Sequence, residues 1–285
     1  TASGMEVVPS LYNLLVRLKN EGYNVGKLPA NPQELAKMIQ AQGSVFGTYA
    51  EGAYTQFLQS GHPALVTAQQ FAGWTQKALS KKMIKEMNQL YGSFPGKYMA
   101  TDDGKLAVAR LQFGNVALLP QVMAGVGGDS FKIVHGTDQA PPYTYVASYL
   151  WARYGFSADA LIHFGTHGSL EYTPRKQVAL GSNDWSDRLI GVVPHLYIYT
   201  IGNVGEAMIA KRRTYAQTQS YLTPPFKESE LRQTYKQLSD AIQSYEKKAS
   251  AEQSLKVKAL TVKMGIAREL GLDAKQMNKP YSADE

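Results

Sequence analysis

Short apolar runs that end at glycine-containing loops constrain the fold more than any other feature of this sequence. "DALIHFG" (159–165) and "HLYIYTIGN" (195–203) each have the length of a β-strand, and helical patterns lie before and after them. Strands that alternate with helices are typical of an α/β fold. From about residue 228 onward the chain is charged and helical in pattern, without a glycine until Gly265. We therefore expect an α/β fold followed by an α-helical C-terminal extension.

The remaining sequence patterns predict further elements. They are a helix over 5–20, a helix over 31–43, interrupted helix over 63–95, two short strands around "FGN" (113–115), a helix over 142–155 and a helix over 205–221. The corresponding regions are a mainly helical α/β region (1–110), a core that contains both apolar runs (111–226) and the helical extension (227–285).

Composition excludes several classes of function. The chain has 285 residues and no cysteine, which rules out disulfides, thiolate catalysis and cysteine-ligated zinc. Its formal charge of +7 is compatible with an ordinary solvated surface or with an anionic ligand such as a phosphate or a polycarboxylate. An arginine-rich run, an RNP-like motif and a zinc finger are all missing from the sequence, so we expect no nucleic-acid partner.

Two further sequence features concern membranes and nucleotides. No apolar run is long enough to cross a bilayer, and no Walker spacing is present, so we expect neither a transmembrane segment nor ATP binding by this chain alone. The first residues, "TASGMEVVPS", resemble neither a signal peptide nor a native start, which leads us to expect a piece of a longer protein.

The densest group of reactive side chains lies in "IHFGTHGSLEYTPRKQ" (162–177). His163 and His167 stand four residues apart, and Glu171 follows four residues later. Loops at the carboxyl ends of strands are where open α/β sheets place their sites, and the glycines between these residues permit close ligand approach. The loop can therefore direct two imidazoles and a carboxylate into one crevice.

Simpler interpretations of these residues remain open. His163 can be a core histidine with a backbone partner, and Glu171 can merely stabilise a helix N-terminus. A metallohydrolase that uses His163 and His167 would contain bound zinc, but the zincin pattern needs a continuous helix, which Gly165 and Pro174 disfavour.

The second candidate site is the run that begins at His195. Strand alternation places His195, Tyr197 and Tyr199 on one face, where they can line a flat aromatic pocket. A half-buried strand whose tyrosine hydroxyls reach water explains the same pattern.

A run of three cations follows in the next helical segment. Lys211, Arg212 and Arg213 can hold a carboxylated ligand or can form a solvated helix face.

An ordered series of motifs resembles the large subunit of the tetrapyrrole metal chelatases, the cobaltochelatase CobN/magnesium chelatase H family. The resemblance is strongest over about 113–226 and rests on "HFGTHGSLEYTPRKQ", "LIGVVP", "NVGE", "AKRR" and "LTPP". It implies a protein that binds a porphyrin or corrinoid and inserts Mg2+ or Co2+. It also implies two AAA-type ATPase partner subunits, through which alone ATP is used.

The resemblance also implies roles for individual residues. The expected catalytic residues are His163, His167 and Glu171, and the expected metal ligands are these three with Glu206. The expected ring-binding residues combine the resemblance with the face of the second candidate site, and they are Lys176, His195, Tyr197, Tyr199, Lys211, Arg212 and Arg213.

Some positions depart from the family pattern. Arg175 stands where the family usually has glycine, Asp184 where cysteine is common, and Ser186 where proline is found. These departures indicate a divergent branch, for which iron removal from heme or non-catalytic tetrapyrrole carriage are the alternatives to metal insertion. The family implies a cytoplasmic location, and a heme-linked branch implies association with the cell envelope.

Overall fold

The computed structural model describes residues 6–42, 53–122, 139–165, 168–199, 204–220 and 230–281. The chain forms two compact units, Thr1–Pro224 and Pro225–Glu285. Helices and strands in small sheets occupy the first unit and helices occupy the second, which confirms the α/β class with a helical C-terminal region. The three-region division at 110 and 226 remains a prediction.

The first unit contains helices of one to four turns. In chain order they are α1 (Val7–Asn20), α2 (Pro32–Gln42), α3 (Ala53–Ser60), α4 (Ala68–Ala78), α5 (Lys81–Tyr91), α6 (Tyr143–Leu150), α7 (Trp185–Ile190) and α8 (Val204–Thr214). A π-helical turn, Trp151–Gly155, continues α6 to the glycine that the sequence indicated as its end.

The strands of this unit are short. They are β1 (Ala64–Val66), β2 (Leu106–Val108), β3 (Leu111–Phe113), β4 (Val116–Leu118), β5 (Leu161–Phe164), β6 (His195–Tyr199) and β7 (Gln217–Ser220). β1 pairs with β2 and β3 pairs with β4, both antiparallel. The two short strands predicted around "FGN" are confirmed as β3 and β4, which pair as a hairpin. The strand β1 was missed at the start of a region predicted as interrupted helix.

Local side-chain hydrogen bonds fix the starts of α4 and α5. Thr67 accepts from the backbone N–H of Gln70, whose side chain returns to the backbone of Thr67, so α4 begins with a capping box. Ser80 accepts from the N–H of Met83 at the start of α5. These caps explain why the helical pattern of 63–95 divides into separate helices.

One large core packs α3 to α7 against β1 and β2, and a smaller one packs α1 and α2 against β3 and β4. The fully buried side chains of the large core include Leu106, Tyr145, Leu150, Leu170 and Trp185. Because Tyr145 lies on α6 and Leu170 lies in the loop after β5, this core fixes both segments beside the third sheet.

The third sheet is parallel and has the order β5–β6–β7. Its register pairs His163 with Tyr197 and Leu161 with His195. The sequence predicted helix through residue 221, and this was wrong for its end, because α8 stops at Thr214 and Gln217–Ser220 forms the edge strand β7. The run "QTQS" is polar and largely exposed, so its sequence shows no alternation of apolar and polar residues that would predict a strand. Its pairing with β6 defines it as one.

The second unit consists of α9 (Glu230–Lys247), α10 (Ala251–Lys263) and the short α11 (Ile266–Glu269) within its described residues. Ser250 caps α10 by accepting from the N–H of Gln253. Across the described parts of both units, no helix is both long and apolar enough to span a membrane.

Candidate functional site

Two histidines from neighbouring strands meet on one face of the parallel sheet. His163 lies opposite Tyr197, so His195 is its diagonal neighbour across the β5–β6 pair. The centroids of the two imidazole rings are 4.8 Å apart, with the ring planes at 76°. Only 8% of His163 and 5% of His195 is exposed, so the pair is enclosed and does not line an open surface.

The environment of His163 keeps its ring neutral. Burial, with a smaller contribution from the neighbouring His195, lowers its pKa to about 3. The Nε2 atom of His163 lies 3.0 Å from the hydroxyl oxygen of Tyr149 on α6. The simpler interpretation, a core histidine with a backbone partner, does not describe this contact.

His195 is held by the last carbonyl of α8. Its Nδ1 atom lies 3.0 Å from the carbonyl oxygen of Thr214, one of the acceptors that a helix end leaves without an intrahelical partner. Burial lowers the pKa of His195, and the hydrogen bond to Thr214 opposes part of that change. Both imidazoles of the pair are therefore neutral at neutral pH.

Glu171 occupies a single 3₁₀ turn, Leu170–Tyr172, and is 0% exposed. The hydroxyl of Tyr197 donates to its Oε1 atom over 2.5 Å. Burial raises the pKa of Glu171, the hydroxyl of Tyr197 lowers it, and the charge of Glu206 on α8 raises it. A turn this short does not create a helix N-terminus, so the dipole interpretation of this carboxylate loses its basis.

Gly168 permits the close approach of the loop to this carboxylate. A Cβ atom at this position would lie 2.7 Å from Oε2 of Glu171 and 3.0 Å from the ring of Tyr197. The backbone N–H of Gly168 also donates to the hydroxyl of Tyr197 over 3.0 Å. Any larger residue would displace the carboxylate or the tyrosine.

The predicted aromatic face of β6 is present. His195, Tyr197 and Tyr199 are buried and alternate with the half-buried Leu196 and Ile198. The rings of Tyr197 and Tyr199 have centroids 3.9 Å apart. The face packs inside the fold, which does not match the alternative of a strand whose hydroxyls reach water.

The three cations of α8 have different environments. Arg213, which we expected among the ring-binding residues, is 1% exposed, and its guanidinium donates to the backbone carbonyls of Glu171 and Pro174. Lys211 and Arg212 are exposed, as is Lys176 in the loop before α7. Arg213 therefore stabilises the loop that carries Glu171, and the three exposed cations remain free to reach a ligand at the surface.

Arg175 has a backbone conformation that is unusual for its residue type. Its φ angle is 98°, in the left-handed region that favours glycine. An ion pair with Glu86 on α5 holds its side chain.

Sequence reasoning missed the tyrosines of α6. Besides Tyr149, the hydroxyl of Tyr145 lies 2.8 Å from that of Ser169 in the Glu171 loop. Tyr145 and Tyr149 are four residues apart and so share one helix face, which is the signal that could have identified them.

The structure describes three of the four residues that we expected to bind a metal ion: His163, Glu171 and Glu206. His167 lies outside the described residues. Among the side chains that the structure does describe, no group of three or more His, Asp or Glu is spaced to hold a metal ion. The expected set of His163, His167, Glu171 and Glu206 therefore remains a prediction.

Comparisons with a family model and with known proteins all point to the same family. The chain matches the CobN/Magnesium Chelatase family over residues 1–285. It is 36% identical to the H protein of the Rhodobacter capsulatus magnesium chelatase over 86% of this chain, and 35% identical to the chloroplastic magnesium-chelatase protein ChlH of Oryza sativa over the same share. It is 30% identical over 80% of its length to the aerobic cobaltochelatase protein CobN of Pseudomonas aeruginosa.

These relatives are much longer than this chain, which spans 19%, 17% and 18% of their respective lengths. The matched part includes the loop of Glu171 and the strands of both histidines, because the family match covers every residue. The chain belongs to the CobN/Magnesium Chelatase family.

Proposed function

We propose that this chain is the part of a tetrapyrrole metal chelatase large subunit that accepts the pyrrole protons and binds the metal ion. The complete enzyme would insert a divalent metal, Co2+ or Mg2+, into a corrinoid or porphyrin. Two AAA-type ATPase subunits would supply the energy, because the sequence carries no Walker motif of its own. The observation that carries the proposal is a buried carboxylate, Glu171, which accepts from Tyr197 in a member of this family. The ring centroid of Tyr197 lies 6.2 Å from that of each of two buried imidazoles, His163 and His195.

Metal insertion requires the loss of two protons from the pyrrole nitrogens of the ring. The raised pKa of Glu171 makes it a stronger base than an ordinary carboxylate and brings its pKa nearer to neutrality. The hydroxyl of Tyr197 orients this carboxylate, and Gly168 leaves room for it. Glu171 is therefore our candidate proton acceptor.

The carboxylates of a tetrapyrrole need cationic partners at the protein surface. Lys176, Lys211 and Arg212 are exposed and supply this charge. Arg213 has a different role in the proposal, because its guanidinium is used to hold the loop. The aromatic face of β6, which includes Tyr199, would pack against the tetrapyrrole ring.

Iron removal from heme is the second candidate. It reverses the same path, with the carboxyl group donating protons to the ring. The observation that favours it is the pair of imidazole nitrogens, because imidazole suits iron as well as cobalt. If the enzyme inserts a metal, we propose that it is cytoplasmic. If it removes iron from heme, we propose that it is associated with the cell envelope.

An absorbance titration separates these functions from simple carriage. The chain would be titrated with a metal-free porphyrin, with heme and with a corrinoid, and metal exchange would then be followed with the ATPase partners present. Insertion predicts tight binding of a metal-free ring and ATP-dependent appearance of its metal complex. Binding of all three rings without any exchange would contradict both enzymatic proposals and would support a carrier.

A further inference from the structure

The hydrogen bonds of His195 define which of its nitrogens carries the proton. A carbonyl oxygen can only accept, so Nδ1 must donate to the carbonyl of Thr214. The other nitrogen, Nε2, then bears a free lone pair. This atom is buried and has no hydrogen-bond partner among the residues that the structure describes.

The hydrogen bonds around His163 lead to a similar result. The amide nitrogen of Gln121 donates to the carbonyl of Val122, so its oxygen is left to accept from the hydroxyl of Tyr149 over 3.3 Å. A tyrosine hydroxyl has a single proton, and with that proton on the bond to Gln121, Nε2 of His163 donates to the oxygen of Tyr149. Nδ1 of His163 then bears the lone pair, and it too is buried without a partner in the described part of the chain.

Two bare acceptor nitrogens thus lie on adjacent rings inside the protein. A buried acceptor without a donor destabilises a fold by about 1–3 kcal/mol, so a pair of them needs a reason. Several other buried atoms without partners are the donor nitrogens of Arg110, Arg175, Trp185 and Arg213, which cannot bind a cation. The arrangement of the histidines is the one that metal-binding imidazoles adopt, with the second ring nitrogen hydrogen-bonded to a carbonyl or another fixed group.

We infer that Nδ1 of His163 and Nε2 of His195 form a nitrogen-donor site for a divalent transition-metal ion of the Co2+, Fe2+ or Zn2+ class. Mg2+ is disfavoured there, because it prefers oxygen ligands in octahedral geometry. The inference deepens the proposed chelatase function and rests on it for the purpose of the site. Two protein ligands leave the remaining coordination positions to water or to ring nitrogens, as an ion that is passed onward requires.

The inference assigns new roles to two residues. His195, which the sequence pattern placed with the ring-binding residues, becomes a metal ligand. Tyr149 becomes a positioning residue, because its oxygen holds the His163 proton on Nε2 and so exposes the lone pair of Nδ1.

The test uses the complete chain and metal ions alone, without any tetrapyrrole. Co2+ would be added to the metal-free protein, and binding followed by visible absorption and calorimetry. We expect a single Co2+ to bind and a large excess of Mg2+ to leave it in place. His163→Asn or His195→Asn should weaken Co2+ binding by at least about 100-fold, and Tyr149→Phe by about 10–100-fold.

His62→Asn is the matched control. His62 is an exposed histidine with a φ angle of 47°, a conformation that asparagine also accepts, so this variant removes one surface imidazole and should leave Co2+ affinity unchanged. Circular dichroism would establish that each variant is folded. Nitrogen NMR of the wild-type imidazoles gives a readout that needs no variant, and it should find the proton of His195 on Nδ1.

Equal Co2+ affinity in the wild type and in folded His195→Asn would overturn the inference, as would displacement of Co2+ by Mg2+ or a proton on Nε2 of His195. Because no ring is present, these outcomes are separate from the proposed function. A chain that binds and metallates a porphyrin yet shows no affinity for Co2+ alone would retain the chelatase proposal and lose this metal site.

Discussion

Both compact units bury ionisable side chains, but they provide different partners for them. In the second unit, Lys258 is 1% exposed, and its ammonium group donates to Asp273 over 2.7 Å and to the carbonyl of Lys279 over 3.0 Å. The same group lies 4.9 Å from the centroid of the Tyr281 ring. In the first unit, Oε2 of Glu171 and one nitrogen of each paired histidine lack a hydrogen-bond partner within the described residues.

This difference separates a structural role from a chemical one. A buried charge with its hydrogen-bonding capacity satisfied fastens the segment after α11 onto α10, and nothing remains with which it can react. Buried groups with free lone pairs destabilise the fold slightly and remain able to take a proton or a metal ion. The first unit is therefore where we place the chemistry, and the following predictions test that division.

The largest stability effect is expected at Lys258. Lys258→Ala should lower the free energy of unfolding of the second unit by about 2–5 kcal/mol, the range for truncation of a long buried side chain. Lys258→Met keeps most of the volume and should lower it by less than about 1.5 kcal/mol. Urea unfolding followed by far-ultraviolet circular dichroism measures both. A loss as large in the methionine variant would mean that the ion pair stabilises this unit more than the packing does.

The next largest effect distinguishes two adjacent arginines. Arg213→Ala should destabilise the first unit by about 2–3 kcal/mol, because it removes charged hydrogen bonds to the carbonyls of Glu171 and Pro174. The exposed Arg212→Ala should change stability by less than about 0.5 kcal/mol. Tryptophan fluorescence monitors this unit, since all three tryptophans belong to it. Similar effects of both substitutions would remove the structural role assigned to Arg213.

A smaller effect is expected in how the free energy of unfolding of each unit depends on pH. Burial lowers the pKa of His163 to about 3, so between about pH 6.5 and pH 3 the unfolded chain binds a proton there and the folded chain does not. The contribution of His163 to the free energy of unfolding of the first unit should fall as pH falls in this range, by at most about 1.4 kcal/mol per pH unit.

The second unit should respond at lower pH. The hydrogen bond from Lys258 lowers the pKa of Asp273 to about 2, so its contribution is present above the unfolded pKa of about 3.9 and is lost as pH falls toward 2. Urea unfolding at about pH 7 and about pH 5 tests this order, with His163→Gln as the control that should reduce the response of the first unit to the part that His195 contributes. An unchanged slope in that variant would assign the pH response to other groups.

Sequence patterns predicted the elements that have a strong period. The alternation in "HLYIY" correctly placed His195, Tyr197 and Tyr199 on one buried face, and the apolar run before Gly165 was correctly predicted as a strand. The polar strand β7 had no such period, because its pairing with β6 depends on backbone hydrogen bonds alone. Short-range pattern is therefore sufficient for apolar strands and insufficient for a polar edge strand.

The partners of the site residues were beyond sequence reasoning for a different reason. Tyr149 precedes His163 by 14 residues, and Thr214 follows His195 by 19, so only the packing of α6 and α8 on the sheet brings them together. The burial of Arg213 has the same origin, since Arg212 and Arg213 are chemically identical neighbours that face different surroundings. Residue type and spacing identified candidate groups, and tertiary packing decided their protonation and exposure.

The central claim is that Glu171 takes a proton during metal exchange. Its most direct test compares wild type with Glu171→Gln in the complete enzyme with its ATPase partners, measuring the dissociation constant for the ring and the rate of metal insertion or removal. Glutamine keeps the shape and can still accept from Tyr197, so ring affinity should barely change, while the rate should fall by about 10²–10⁴-fold. An unchanged rate with an altered melting temperature would contradict the claim and would leave Glu171 a structural residue.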